Sequence, residues 1–163
     1  EHLCEFIGRR ATLETEALVA STMWTNLVGR EFEAIRESGM GGAVHAGELE
    51  TSVYLHLAPE RVQMDKAADH YGGAAGAAGS SYLYVDVSKG WGLIKLVKWT
   101  SSGTPDGVSG APTLATADKG RAMLDAAANH LVAFCKEFKA MADPVRVDHR
   151  AVQPKTPALP NLD

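Results

Sequence analysis

A long amphipathic helix in the last third of the chain is the feature that most limits the fold. Between Ala117 and Phe138, apolar residues recur every three or four positions. Thr116 precedes this segment as an N-cap, and Asp118 lies in the first turn, where its charge suits the helix dipole. An apolar stripe of this length has to pack against something, so we predict a core built partly from helices.

Composition places the chain among ordinary globular domains and narrows its partners. The 163 residues fit one domain, and 45% of them are hydrophobic and 22% charged. The net charge is -4 and there is no basic block, which argues against nucleic acid or an anionic membrane as a partner. Cys4 and Cys135 lie far apart in helical patterns, which predicts free, buried thiols and a cytoplasmic protein.

Three further segments have helical spacing. They are residues 1–16, Gly29 to Ser38 as a surface helix, and Gly47 to Leu57. In the last of these, an apolar face is predicted from Leu49, Val53, His56 and Leu57, and Pro59 ends the helix.

Strands are predicted at three short apolar runs, Ala17 to Trp24, Tyr82 to Val87 and Leu93 to Trp99. Helices mixed with such strands indicate an α/β fold, with helices covering a mostly parallel sheet. Gly72 to Ser81 is glycine-rich and predicted to be flexible. We expect one domain over residues 1–142 and an extended, proline-rich tail over residues 143–163.

The densest cluster of chemically active side chains is the segment His45 to Ser52, which follows Gly41 and Gly42 and opens a helix. Glycines allow a ligand to approach the main chain, so Gly42 is a candidate substrate contact. An imidazole can carry a proton and a carboxylate can bind a metal. On a helical wheel Glu50 borders the apolar face and Glu48 points away. Alternatively, both acids simply favour the first turn of a helix.

Two sequence blocks resemble the creatininase family. His-Ala-Gly-Glu-x-Glu-Thr-Ser at the start of a helix is similar to the family's motif, and Gly107 to Arg121 resembles its glycine–proline segment before the last helix. The resemblance spans about residues 1–139. It implies a three-layer α/β/α fold, completed by an N-terminal segment, and a two-metal centre that hydrolyses a non-peptide C–N bond of a small cyclic or linear amide through activated water.

Carried onto this sequence, the resemblance implies particular roles for three residues. His45 would be the catalytic proton carrier, and Glu50 would be a metal-site carboxylate, either as a ligand or as a partner of the ligands. Trp24 would line the substrate pocket. Trp91, between two predicted strands, is either a substrate lid or an ordinary turn or core residue. The metal ions would be zinc, manganese or iron.

The sequence also departs from the family pattern. The family's earlier metal ligands, in Glu-x-His and Asn-Gly-His-Gly segments, have no counterpart here, and a metal ion needs about four ligands. We therefore expect an N-terminal partner chain or cleaved fragment to supply them, within a higher homo- or hetero-oligomer. The alternative is a non-catalytic relic domain that binds a partner. Ala111 replaces an Asp of the family pattern, and Gly41 stands where creatininases carry a tryptophan, which argues against creatinine as the substrate.

Overall fold

The part of the chain that the structure describes contains four α-helices. The computed structural model describes residues 2–15, 17–71, 80–94 and 99–141. The helices are α1 (His2–Thr15), α2 (Gly29–Ile35), α3 (Glu48–Leu57) and α4 (Ala117–Ala140). None of the described helices is both long enough and apolar enough to cross a membrane.

The core lies where α3 packs against the first half of α4. A glycine permits this close crossing, because a Cβ atom on Gly120 would overlap the carbonyl group of Ser52. Thr116 caps α4 as predicted, since its side chain accepts a hydrogen bond from the Lys119 main-chain N–H at 3.2 Å. The buried apolar cluster consists of Val28, Phe32, Ala43, Leu49, Val53, Met123 and Ala127.

The observed strands are short and antiparallel. Strand β1 (Ala43–His45) pairs with β4 (Ser109–Gly110), and β2 (Val85–Asp86) pairs with β3 (Gly90–Trp91). Within the described residues, the predicted three-layer arrangement around a mostly parallel sheet is therefore not confirmed. Parallel pairing needs long crossovers between strands, and composition alone could not show which strands pair.

The first predicted strand was wrong. Residues 17–23 form no strand, and Trp24–Leu27 is a turn of 3₁₀ helix. A short apolar run does not distinguish these structures, because a strand also needs a partner that offers main-chain hydrogen bonds. In the second run, only Val85 and Asp86 are extended. Of the third run, residues 95–98 lie outside the described part, and Leu93 and Ile94 are in a bend.

Helix positions were predicted better than helix faces. On α3, Leu49 and Val53 are buried as expected, but His56 and Leu57 are exposed. The predicted surface helix α2 ends at Ile35 and buries Phe32 completely. The buried residues of α4 are Gly120, Met123 and Ala127, each one position before a residue of the predicted stripe (Arg121, Leu124 and Ala128). The predicted stripe is therefore not the buried face of this helix.

Both cysteines are free, as predicted, but they are exposed rather than buried. Cys4 lies on α1, and Cys135 lies in the second half of α4. Residues 72–79 of the glycine-rich segment and the whole proline-rich tail (residues 143–163) fall outside the described residues, so those two predictions stay predictions.

Candidate functional site

The candidate site begins at a tight turn between β1 and α3. His45 is the last residue of β1, and its side chain is exposed. Ala46 follows with φ = 47°, a left-handed conformation that residues other than glycine rarely adopt. Gly47 then caps α3. The sequence therefore places an imidazole at an unusual turn at the start of the helix.

Two side chains of α3 hold this turn. The Glu50 carboxylate accepts a hydrogen bond from the Ala46 main-chain N–H at 2.6 Å. The Thr51 hydroxyl donates to the Ala46 carbonyl at 3.0 Å. Both polar groups of the residue next to His45 are thus satisfied by the first turns of α3, which fixes the main chain at this point.

A groove of about 630 Å³ runs beside the turn. This volume suits a small organic molecule or a short peptide segment. Ala46, Glu50 and Thr51 form one wall. The other lining residues are Trp24, Val53, Tyr54, Leu57, Arg61, Val62, Gln63 and Leu124. The groove is therefore largely apolar and aromatic, with an acid and a guanidinium as its two charged side chains.

The predicted site residues are distributed unevenly around this groove. Trp24 and Glu50, predicted from separate parts of the chain, line it together. His45 is one residue from the lining residue Ala46. Gly42 is buried behind the turn, where its carbonyl accepts hydrogen bonds from the main-chain N–H groups of Glu48 and Ala111. The main chain of Trp91 pairs with Val85, while its side chain lies outside the described atoms.

Sequence reasoning misplaced Glu48, which was expected to point away from the core. Its side chain is fully buried and accepts hydrogen bonds from the main-chain N–H groups of Glu37 (2.9 Å) and Ser38 (2.8 Å). The Lys119 ammonium donates to it at 2.6 Å and also contacts Glu37 at 2.6 Å. The helical wheel gave the wrong orientation because it shows which residues flank the stripe of Leu49 and Val53, but not which flank is buried against α4.

Burial and hydrogen bonding oppose each other in this ion pair. Burial raises the pKa of Glu48, but the hydrogen bonds from Lys119 and from Ser38 outweigh it and hold the pKa below its ordinary value. Burial likewise lowers the pKa of Lys119, and the hydrogen bonds to Glu37 and Glu48 reverse this and raise it. Both groups are therefore charged at neutral pH.

A second buried carboxylate supports the same loop. Asp86 is 1% exposed and binds the Arg36 guanidinium through two hydrogen bonds of 2.6 and 2.9 Å. It also accepts from the Gly41 main-chain N–H at 2.8 Å. Arg36, Asp86 and Lys119 were not singled out from sequence, since nothing local distinguishes a buried charge from a solvated one. Together with Glu48 they fix the segment that leads into β1.

Three glycines form the junction behind the turn. A Cβ atom on Gly47 would overlap the Gly42 carbonyl, and one on Gly110 would lie 2.6 Å from the Gly47 Cα. The main chains of the segment before β1, the start of α3 and β4 therefore touch directly. No side chain fits at these positions without moving the turn that carries His45.

The described residues do not by themselves make a metal centre. No three His, Cys, Asp or Glu side chains in residues 2–15, 17–71, 80–94 and 99–141 are grouped to hold an ion. One oxygen of Glu50 is engaged by the Ala46 N–H. The two-metal site implied by the resemblance is thus not met by these residues alone, because each ion requires about four ligands.

Comparison with known proteins gives three matches. The family model for creatininase, described as creatinine amidohydrolase, matches residues 2–135. The mycofactocin precursor peptide peptidase of Mycobacterium ulcerans is 34% identical over 106 residues, which is 65% of this chain and 37% of that protein. A crystal structure from Bacteroides fragilis, provisionally described as a creatinine amidohydrolase, aligns with a TM-score of 0.57 at 21% identity.

These matches differ in what they establish. The alignment with the Bacteroides structure includes 85% of this chain and 50% of the Bacteroides chain. At 21% identity it shows the fold alone. This chain spans half or less of the length of both relatives. The family match covers most of the sequence and includes both blocks that carried the resemblance. The chain belongs to the creatininase family.

Proposed function

We propose that this chain forms part of a hydrolase site that cleaves the C–N bond of an amide held in the groove beside α3. The members of its family are hydrolases of amidohydrolase type, and one relative is a peptidase. The observation that carries the proposal is the turn at His45. The exposed His45 directly precedes Ala46, a residue with left-handed main chain that lines an apolar and aromatic groove.

In the proposed reaction, the oxygen of a water molecule bonds to the carbonyl carbon, protonated His45 delivers its proton to the leaving nitrogen, and the C–N bond breaks. The proton that the water gives up restores protonated His45. An amine is a poor leaving group until it is protonated, so a positioned acid accelerates the cleavage. Imidazole suits this task because its ordinary pKa lies near neutral pH. Trp24 and Tyr54 provide flat apolar surfaces against which the rest of the substrate can pack.

The substrate is proposed to be a small cyclic or linear amide or a short peptide. The groove volume of about 630 Å³ accommodates either. The family description supports the small amide, and the peptidase relative supports the peptide. Incubating the complete protein with both classes and following new amino groups by NMR separates the two.

The test of the catalytic proposal is His45→Ala in the complete protein. We expect hydrolysis to fall by about 100-fold or more, because a proton donor typically contributes that much. The melting temperature should stay close to wild type, since the His45 side chain is exposed. His56→Ala, which removes a second exposed histidine near the end of α3, is the matched control and should keep full activity. Undiminished hydrolysis in His45→Ala would remove His45 from the mechanism.

We also propose that divalent metal ions take part and that their ligands come mainly from outside the described residues, on this polypeptide or on a partner chain in an oligomer. Support comes from the family's general metal dependence and from the share of the relatives that this chain spans. Native mass spectrometry with metal analysis of the natural protein tests this. A metal-free assembly that hydrolyses amides in the presence of a chelator would contradict it.

A further inference from the structure

Ala46 is a point of main-chain strain that the structure has to maintain. It is the one non-glycine residue with positive φ in the described part of the chain. For an L-residue this conformation is unfavourable, because Cβ crowds the neighbouring carbonyl oxygen. Such a residue persists when the surrounding contacts determine its geometry more strongly than its own preference.

The contacts that determine Ala46 come from two consecutive side chains. The Glu50 carboxylate holds its N–H at 2.6 Å, and the Thr51 hydroxyl holds its carbonyl at 3.0 Å. This differs from an ordinary capping box, in which the acid at this helix position reaches the N-cap residue itself. Here the N-cap is Gly47, and the acid reaches one residue further back, to the neighbour of His45.

The main chain of His45 is consequently held on both sides. On one side, His45 pairs with Ser109 in the ladder between β1 and β4. On its other side lies the turn held by Glu50 and Thr51. An exposed side chain ordinarily samples several rotamers, whereas a fixed main chain restricts the region that the imidazole can reach.

We propose that Glu50 and Thr51 are positioning residues that hold the His45 imidazole in place for proton transfer, and that Glu50 does so as a hydrogen-bond acceptor rather than as a metal ligand. The proposal rests on the proposed function of His45. An acceptor at position 50 and a donor at position 51 are what the turn requires. The negative charge of Glu50 is not required, because an amide oxygen can accept the same bond.

The simpler explanation of Glu50 is a favourable charge at a helix N-terminus. Asp118 provides the comparison, since it lies in the first turn of α4 with a side chain that is 93% exposed. If each acid only stabilised its helix through the dipole, removing either one would have the same kind of effect. If Glu50 positions His45, removal of Glu50 affects His45 and removal of Asp118 does not.

The experiment compares conservative and disruptive variants of the complete protein. Glu50→Gln and Thr51→Ser keep the hydrogen bonds, whereas Glu50→Ala and Thr51→Val remove them. Asp118→Ala and Thr15→Val are the matched controls. Thr15 also donates its hydroxyl to a main-chain carbonyl, that of Ala11, at the distant helix α1. The measurements are hydrogen exchange at the Ala46 amide, NMR order of the His45 ring, bound metal, kcat and KM.

We expect Glu50→Ala and Thr51→Val to loosen the His45 ring and to lower kcat by about 10- to 100-fold with little change in KM, because misplacing a reacting group by about 1 Å has this effect. Glu50→Ala should also speed exchange at the Ala46 amide. Glu50→Gln, Thr51→Ser and both controls should stay within about threefold of wild type. Bound metal should be the same in all variants.

Three results decide the proposal. If Glu50→Gln loses metal, or loses as much activity as Glu50→Ala, the charge matters and the proposal is overturned. If Glu50→Ala leaves the His45 ring ordered and kcat unchanged, it is overturned as well. If the wild type cleaves no amide while Glu50→Ala still mobilises the His45 ring, the proposed function fails and the positioning of His45 by Glu50 is supported.

Discussion

A single residue, Ala46, combines conformational strain with proximity to the proposed proton donor. Its left-handed conformation costs roughly 1–2 kcal/mol relative to a right-handed one. The chain retains an alanine where glycine would adopt the same conformation without that penalty. Ala46 also lines the groove, so it belongs both to the turn and to the groove wall.

Ala46→Gly should therefore separate stability from activity. We expect the free energy of unfolding to rise or to stay within about 1 kcal/mol of wild type, because relief of strain opposes the added flexibility of the unfolded chain. Hydrolysis should fall, since a glycine holds the neighbouring imidazole less firmly. Chemical denaturation and kcat of the same sample measure both effects. A variant that is both more stable and more active would contradict this view of the turn.

Individual residues of the site were only partly predictable. His45, Glu50 and Trp24 emerged from a motif and its surroundings, and two of these three line one groove. The buried partners Arg36 and Asp86 did not emerge, because they lie 50 positions apart in sequence and neither stands in a recognisable pattern. Local sequence indicates which side chains can do chemistry, whereas the charges that hold a loop in place depend on distant pairing.

At the level of elements, α3 and α4 form the most extensive contact among the described elements. The end of α3 and the start of α4 were predictable because they depend on neighbouring residues: Pro59 follows the end of α3 closely, and Thr116 caps α4. The end of α2 was not, since this helix was predicted to reach Ser38 and ends at Ile35. The buried face of each helix was not fully predictable, because it depends on the partner. Gly120 allows the two main chains to approach, which brings Glu48 and Ser52 into the interior.

Gly120→Ala tests this crossing. The new methyl group would overlap the carbonyl group of Ser52, which is main chain and cannot rotate away. We expect a loss of about 1–3 kcal/mol in the free energy of unfolding, outweighing the better helix propensity of alanine. Gly8→Ala is the matched helical control. A Cβ atom at Gly8 meets only side-chain atoms of Val19, at 3.2 and 3.7 Å, so the stability of this variant should change little. Equal melting temperatures for both variants would show that the helices separate readily.

For the whole molecule, the buried pair of Glu48 and Lys119 joins α4 to α3 and to the loop that precedes β1. Lys119→Met would leave a fully buried carboxylate without its cation. We expect the free energy of unfolding to fall by about 3–5 kcal/mol at pH 7. Lys89→Met, which breaks an exposed pair with Glu33, should cost under about 1 kcal/mol. A similar small loss in both variants would mean that the buried pair contributes little.

The same pair predicts how stability depends on pH. The pKa of Glu48 is lowered on folding, so its contribution is complete above the ordinary value of 4.5 and is lost as the pH falls through the lowered value. The pKa of Lys119 is raised, so its contribution holds below 10.5 and is lost as the pH rises through the raised value. The difference in unfolding free energy between wild type and Glu48→Gln should therefore shrink below pH 4.5. A pH-independent difference would contradict this assignment.

The overall architecture was the least predictable level. Membership of the family followed from two short blocks and is confirmed over residues 2–135. The arrangement of strands did not follow, since pairing such as Ala43 with Gly110 joins positions far apart in the chain. The parallel sheet expected from the mixture of helices and strands is absent from the described residues, where both pairs are antiparallel. Composition constrains which helices and strands form, but it does not determine which of them lie next to each other in space.

The glycine junction of Gly42, Gly47 and Gly110 has a consequence for how such a protein can diversify. Main chain meets main chain there, so the placement of the imidazole does not depend on the groove side chains other than those of the wall formed by Ala46, Glu50 and Thr51. Exchanges at Trp24, Tyr54 or Leu57 can reshape the cleft without disturbing this anchor. Under the proposed function, substitutions in one groove wall could therefore change the substrate while the position of His45 stays the same.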